Sequence, residues 1–279
     1  MSGTFPEALP ATVVIPVRNE ERNLPQCLAA LGRFAHVMVV DSASTDRTGE
    51  IAAENGAQLI QFEWDGKFPK KRNWVLQTCQ FSSPFVLFLD ADEVVSPAFC
   101  DELAQALADT QHVGFWLNYT NYFAGRQLKH GVPQRKLALM RVGAGFYERI
   151  EEDAWSKLDM EVHEHPVLDG TIGEITAPID HRDFRGIDKF LERHIDYAKW
   201  EAARYGALQA EGLDSATHLT RRQAFKYRNL GKWWYPAFYF TFAYILRGGI
   251  WDGRAGLLYA FYKAWYFTTI KALIAEAKR

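Results

Sequence analysis

The sequence predicts an α/β protein: a mostly parallel sheet flanked by helices, followed by a helical, aromatic-rich C-terminal appendage. Three observations carry this. Short β-prone runs alternate with helical stretches through the N-terminal third, the pattern of a parallel sheet covered on both faces. Polar and acidic residues collect just past the ends of those runs. Aromatic residues, 14% of the 279-residue chain, concentrate after residue 184.

The first strand is Thr12-Val13-Val14-Ile15-Pro16-Val17, and Arg18-Asn19-Glu20-Glu21 reads as the loop after it. Asn19 can cap a helix on which Leu24, Leu28 and Leu31 share an apolar face. A second strand, Val37-Met38-Val39-Val40, ends in Asp41-Ser42-Ala43-Ser44-Thr45-Asp46. Ser44 or Thr45 can cap a helix over 47–54. Gly56 precedes a third strand over 58–62, and a helix over 70–79 follows. Then the apolar run Phe85-Val86-Leu87-Phe88-Leu89 stops abruptly at Asp90-Ala91-Asp92-Glu93.

A buried strand that delivers Asp-x-Asp at its C-terminal end puts charge where a ligand must receive it. Mg²⁺ and Mn²⁺ prefer oxygen ligands, and Mg²⁺ is usually held by one or two carboxylates plus substrate phosphates. The pattern implies a metal–diphosphate site. Arg18, Glu20, Asp41, Asp90 and Asp92 all fall past strand C-termini, the edge where open α/β sheets bind ligands. Asp41 alone would read as a turn residue. Three such strand ends on one edge would not.

Three of these segments, Val14 to Glu21, Val39 to Asp46 and Asp90 to Glu93, resemble the motifs of family 2 glycosyltransferases of the GT-A fold, a Rossmann-like sheet. Asn121-Tyr122-Phe123-Ala124-Gly125-Arg126, Leu128-Lys129-His130-Gly131, Glu161-Val162-His163-Glu164 and Gly248-Gly249-Ile250-Trp251-Asp252-Gly253 are similar to a bacterial subgroup, the lipopolysaccharide-core β-1,4-glucosyltransferases. The resemblance implies that Pro16, Arg18 and Glu20 cup the base and ribose of a nucleotide, and that Asp41 accepts a hydrogen bond from uracil or its equivalent. It implies direct metal coordination by Asp92, and contact of Asp90 with ribose or with the metal through water. His181 matches the place of a histidine that completes the metal shell or touches the diphosphate. Lys70, Lys71 and Arg72 open a helix, where cations suit phosphate. Any one of them could equally be a solvated turn residue, and the family-like register before Asn73-Trp74 favours Arg72.

An inverting transfer needs a base for the acceptor hydroxyl, usually a carboxylate, worth roughly 10²–10⁴-fold. Glu151-Glu152-Asp153 reads as a solvated charge run. Between Asp159 and His165, Val162 alternates with Glu161 and His163 as on a strand edge. The His-Glu resemblance makes Glu164 the base and Asp159 the alternative. His163 is read as a positioning or acceptor-binding residue, with His130 also on the acceptor side.

Net charge is −2, so nothing global suggests nucleic acid. Cys27, Cys79 and Cys100 show no metal spacing and suit a reducing compartment. No signal-peptide pattern precedes the first strand, so a cytoplasmic location is expected. Residues 1–184 are taken as the transferase domain and 185–279 as the helical region. Within the latter, 188–210 reads as an amphipathic helix. Arg221, Arg222, Lys226, Arg228 and Lys232 then lie in a stretch without Asp or Glu, ahead of the run Trp233 to Leu246. That run is shorter than the ~20 residues of a spanning helix, and Lys263 and Lys271 interrupt the later one. Cations beside aromatic amphipathic helices read as an interfacial element on the cytosolic face of the inner membrane. The other reading is a helical subdomain packed on the catalytic sheet.

The expected function is therefore transfer of one sugar, by subgroup analogy glucose from UDP-glucose, to a membrane-linked acceptor such as lipopolysaccharide core. A polyprenyl-diphosphate-linked oligosaccharide is the alternative acceptor. A non-catalytic sugar-nucleotide-binding module is the alternative of another class, opposed by the retained carboxylates. A processive synthase would carry Gln-x-x-Arg-Trp and several spanning helices. A nucleotidyltransferase would carry a Gly-rich loop after the first strand. Neither pattern is present.

Overall fold

The computed structural model describes residues 8–152, 156, 158–161, 164–182, 186–212 and 219–278. The expected boundary at 184/185 and the predicted acceptor residue His163 lie outside them. Two compact units are present, each with its own hydrophobic core.

The first unit comprises Met1–Thr120, Gln134–Asp153 and Lys157–Arg182. Its elements, in chain order, begin β1 (Leu9–Val17), α1 (Leu24–Ala29), β2 (Phe34–Asp41), α2 (Thr48–Glu54) and β3 (Gln58–Gln61). They continue with α3 (Lys71–Thr78), β4 (Phe85–Phe88), β5 (Glu93–Val94), α4 (Pro97–Leu107) and β6 (Gly114–Phe123). A short strand β7 (Arg126–Leu128) pairs with the last residues of β6 and belongs, with them, to the second unit. Next come β8 (Gln134–Arg141), β9 (Gly145–Tyr147), β10 (Pro166–Leu168) and β11 (Ile172–His181).

The sheet order is β3-β2-β1-β4-β8-β6-β11-β5. The pairs β3/β2, β2/β1 and β1/β4 are parallel, as the alternating pattern predicts. Beyond β4 the sheet turns mixed, because β8 pairs antiparallel to both β4 and β6. β1 lies between two parallel neighbours, which is why it reads as an unbroken apolar run rather than an alternating one. Val13, Ile15, Leu87 and Leu89 are fully buried there.

Register sets the functional edge. Val17 pairs with Asp41 and Val14 with Phe88, so Asp90, two residues past Phe88, is level with Pro16.

The loops differ in detail from expectation. Asn19 does not cap α1. It takes a left-handed φ of 56°, which Asn tolerates, and its side-chain oxygen accepts the Thr45 N–H at 2.8 Å. Its own N–H donates to Ser44 Oγ at 2.8 Å. Asn19 thus ties the β1 and β2 loops together, and α1 starts only at Leu24. Ser44 and Thr45 do not cap α2 either. Asp46 Oδ1 accepts from the Thr48 N–H at 3.0 Å, a charge-assisted version of the same device.

The second unit comprises Asn121–Pro133, Ala154–Ser156 and Asp183–Arg279. It contains α5 (Gly186–Glu211), α6 (Arg221–Asn229), α7 (Tyr235–Thr241) and α8 (Gly253–Glu276), with a π turn (Phe242–Leu246) and a 3₁₀ turn (Gly249–Asp252) between the last two. Thr220 and Gln223 form a capping box at the start of α6. The basic stretch is not free of acids in three dimensions: Lys226 Nζ lies 2.7 Å from Glu201 of α5. Lys263 meets the His194 ring at 3.3 Å and lies over the Tyr259 and Tyr266 rings. No described helix is long and apolar enough to cross a membrane.

Candidate active site

Asp41 is buried at the end of β2. Its carboxylate accepts the Ser44 N–H at 3.1 Å, the Ser44 hydroxyl at 2.5 Å and the Gln61 amide at 3.3 Å. These donors fix its direction at the sheet edge. Pro16 is buried in β1, and Arg18 beyond it is exposed. Glu20 accepts from the Asn23 amide at 2.7 Å, while its N–H donates to Thr48 Oγ1 at 2.8 Å. Four of the residues expected around a nucleotide therefore share one edge.

Asp90 follows β4 and is held by two cations. Arg72 Nη2 lies 3.0 Å from Oδ1 and Lys136 Nζ lies 2.6 Å from Oδ2. Burial alone would raise its pKa, but Lys136 and Arg72 hold the carboxyl well below the usual range. Lys136 also meets Glu93 at 2.5 Å. Burial pushes Glu93 up to about 7 despite that cation. With both oxygens already partnered, Asp90 suits hydrogen bonding better than primary metal ligation.

Asp92 is different. It is buried, and its Oδ1 lies 3.5 Å from His181 Nε2 at the end of β11. The backbone backs this pairing, since β11 runs beside β5 with His181 opposite Glu93, and the Arg182 N–H donates to the Asp92 carbonyl at 2.8 Å. Burial would lower the His181 pKa, but the hydrogen bond and charge of Asp92 raise it. Among the described residues no group of three or more metal-ligating side chains converges. A carboxylate with one imidazole nevertheless fits a Mg²⁺ or Mn²⁺ ion that takes its remaining ligands from phosphate and water.

The basic run at α3 does more than the sequence suggests. Lys70, Lys71 and Arg72 each engage an acid of segment 159–164. Lys70 Nζ lies 2.9 Å from Glu164, Lys71 Nζ lies 3.3 Å from Asp159, and Arg72 bonds the Glu161 carbonyl. The Glu161 carboxylate accepts the Arg72 and Asn73 N–H groups, each at 2.9 Å, and so caps α3 from a distant part of the chain. Asp159 also accepts from Ser42 Oγ at 2.5 Å. Although burial would raise its pKa, Lys71 and Ser42 hold it below the ordinary value. Residues 161 and 164 lie in irregular chain before β10, not on the strand edge that the alternation suggests.

Glu164 is buried, and it shares Lys70 with Glu152. Glu152 is thus no part of a solvated run, whereas Glu151 is exposed. The reason is the buried ammonium, which needs counter-charge. Burial and the adjacent Glu164 raise the Glu152 pKa against the pull of Lys70. Trp64, Phe68 and Ile150 line the same recess. Lys136 and Glu152 carry no sequence signal that marks them. Each looks like an ordinary charge until the fold pairs it.

His130 lies in the second unit. Its ring Nδ1 is 3.1 Å from Asp252 Oδ1, and the ring is about half exposed.

Residues 12–163 match the profile of glycosyl transferase family 2. LpsC, a lipopolysaccharide core biosynthesis glycosyltransferase of Rhizobium meliloti, is 27% identical over 273 residues, covering 92% of this chain and 91% of that one. A 4,4'-diaponeurosporenoate glycosyltransferase of Staphylococcus haemolyticus is 32% identical over 111 residues, which are 37% of this chain and 30% of the other. Among solved structures, glucosyl-3-phosphoglycerate synthase of Mycobacterium tuberculosis, with Mn²⁺, UDP and glucosyl-3-phosphoglycerate, gives a TM-score of 0.33 at 25% identity over 42% of this chain and 45% of that one. The family match runs from β1 past Asp41, Asp90, Asp92 and Asp159, and the chain belongs to glycosyl transferase family 2.

Proposed function

We propose that this chain is an inverting, divalent-cation-dependent hexosyltransferase that moves one sugar, glucose from UDP-glucose as first candidate, onto a lipopolysaccharide-core acceptor. The observation that carries the reading is the placement of Asp41, Asp90 and Asp92 at one edge of the parallel strands. The acceptor class is suggested by LpsC, whose likeness extends over nearly the whole of both chains.

In this reading Pro16, Arg18, Glu20 and Asp41 hold base and ribose, and Arg72 and Asp90 hold the ribose–diphosphate. Asp92 and His181 hold Mg²⁺ or Mn²⁺, which when bound offsets charge on the departing diphosphate. Glu164 takes the proton of the acceptor hydroxyl as its oxygen bonds to the anomeric carbon and the bond to UDP breaks. Asp159 is the reserve candidate. His130 and His163 contact the acceptor. Residues 221–274 bring the enzyme to the cytosolic face of a membrane, where Lys and Arg near anionic lipid are worth ~1 kcal/mol each.

The test is a donor screen scored by nucleoside-diphosphate release with core-truncated lipopolysaccharide as acceptor. UDP-glucose should give metal-dependent release, and Glu164→Gln should abolish it while UDP still binds. Release by Glu164→Gln within a few fold of the parent would move the base to another carboxylate. No release with any donor would favour a binding module.

A further inference from the structure

The turn spanning residues 245–251 exposes apolar side chains that a water-soluble surface would cover. Leu246 is 69% and Trp251 78% exposed, with Ile245 and Ile250 about half exposed beside them. Arg247 within the turn and Arg254 just after it are both exposed. Residues 219–251 contain six cations, Arg221, Arg222, Lys226, Arg228, Lys232 and Arg247, and no Asp or Glu.

This turn is held firmly. The Asp252 carboxylate accepts the N–H groups of Lys129 and His130 at 3.0 and 2.9 Å and contacts the His130 ring. The Gly131 N–H donates to the Arg247 carbonyl at 2.8 Å. Gly248 has φ 74°, a left-handed conformation that favours glycine. Gly256 lets the backbone of Gly249 approach so closely that a Cβ there would lie 1.9 Å from its carbonyl oxygen. The Leu128-Lys129-His130-Gly131 and Gly248 to Gly253 motifs are therefore two halves of one clasp. What the clasp presents is a turn of exposed apolar side chains with exposed Arg247 within it and Arg254 just after it.

A large exposed apolar patch rimmed by polar groups marks an interaction site. Exposed Trp and Leu beside exposed Arg suit the boundary between lipid headgroups and acyl chains. We propose that the turn 245–251 is a membrane-inserting tip: Leu246 and Trp251 enter the interface of an anionic phospholipid bilayer, and Arg247 and Arg254 meet its phosphates. The charge pattern selects this occupant, because Arg247 and Arg254 are exposed at the turn and residues 219–251 contain no acid, although Lys226 is paired with Glu201. The inference rests on the membrane reading above and gives it a specific point of entry.

The test uses full-length protein and sedimentation with phosphatidylglycerol-containing vesicles and neutral phosphatidylcholine vesicles. Leu246→Ser/Trp251→Ser should lower partitioning into anionic vesicles by about tenfold or more, from two lost apolar insertions. It should also remove the salt-resistant part of binding. Arg247→Glu/Arg254→Glu should lose chiefly the salt-sensitive part. Quenching of tryptophan emission by lipids brominated on the acyl chain should be reduced in Trp251→Phe relative to the parent. Equal vesicle binding by Leu246→Ser/Trp251→Ser and the parent would overturn the tip while leaving the broader membrane reading in place. No binding by the parent would overturn both. A dimer that the serine variant splits, seen by light scattering without vesicles, would make the surface a self-association face instead.

Discussion

Lys70 Nζ lies 2.9 Å from Glu164 Oε1 and bonds Glu152 as well, with all three side chains 6% exposed or less. One ammonium thus serves two buried carboxylates beside the recess lined by Trp64, Phe68 and Ile150. Glu148, Glu161 and Lys67 face the same recess, but Glu161 is already committed to α3.

Removing that ammonium should move the acid limb of the rate profile. The base works only when ionised, and Lys70 is the counter-charge it shares with Glu152. In Lys70→Gln two carboxylates would share one proton, as the raised pKa of Glu152 already foreshadows. The limb should shift to higher pH, and Lys70→Arg should restore it. Adding Glu152→Gln to Lys70→Gln should bring the limb back down. The measurement is kcat against pH. An unmoved limb in Lys70→Gln would detach Lys70 from the base.

Glu161 offers a stability test. Glu161→Gln keeps the shape but lowers the strength of two charge-assisted bonds to the start of α3. A loss of about 1–3 kcal/mol is expected in urea unfolding. UDP affinity should fall with it, because Arg72 is held between Glu161 and Asp90.

Asp159 should contribute to stability in a pH-dependent way. Its pKa is depressed in the folded chain relative to the usual 3.8. A depressed carboxyl stabilises above its unfolded pKa, and that contribution fades as pH falls through the folded value. Asp159→Asn should therefore unfold more readily than the parent at pH 7, and the gap should narrow below about pH 4. Denaturant midpoints at both pH values decide it.

Much of this was legible in the sequence, for a physical reason. Asp41, Asp90 and Asp92 end apolar strands, and an acid at such a position is visible locally. The parallel core of β1, β2 and β4 shows for the same reason, as unbroken Val, Ile and Leu. What stayed hidden depends on pairing across distance. Lys136 is 46 positions from Asp90, and Asp252 is 122 from His130. Asn19 looks like a helix cap because its alternative partner, the Thr45 N–H, lies on another loop. Glu152 looks solvated because its partner, Lys70, lies 82 positions earlier.

Gly256→Ala should destabilise the second unit. The new Cβ would sit 1.9 Å from backbone oxygen of Gly249, which no side-chain rotation relieves. The fall should exceed the gain of up to about 1 kcal/mol that Ala ordinarily brings over Gly in a helix. Thermal unfolding followed by circular dichroism would show it, and a variant as stable as the parent would mean that the turn at Gly249 yields easily.

In the proposed function Asp92 couples a divalent cation to nucleotide binding at this sheet edge. Titration calorimetry of UDP with and without Mn²⁺, on the parent and on Asp92→Ala, tests it most directly. The parent should bind UDP about tenfold or more tightly with Mn²⁺, and Asp92→Ala should bind UDP equally with and without the metal. A full metal response in Asp92→Ala would remove Asp92 from the metal site.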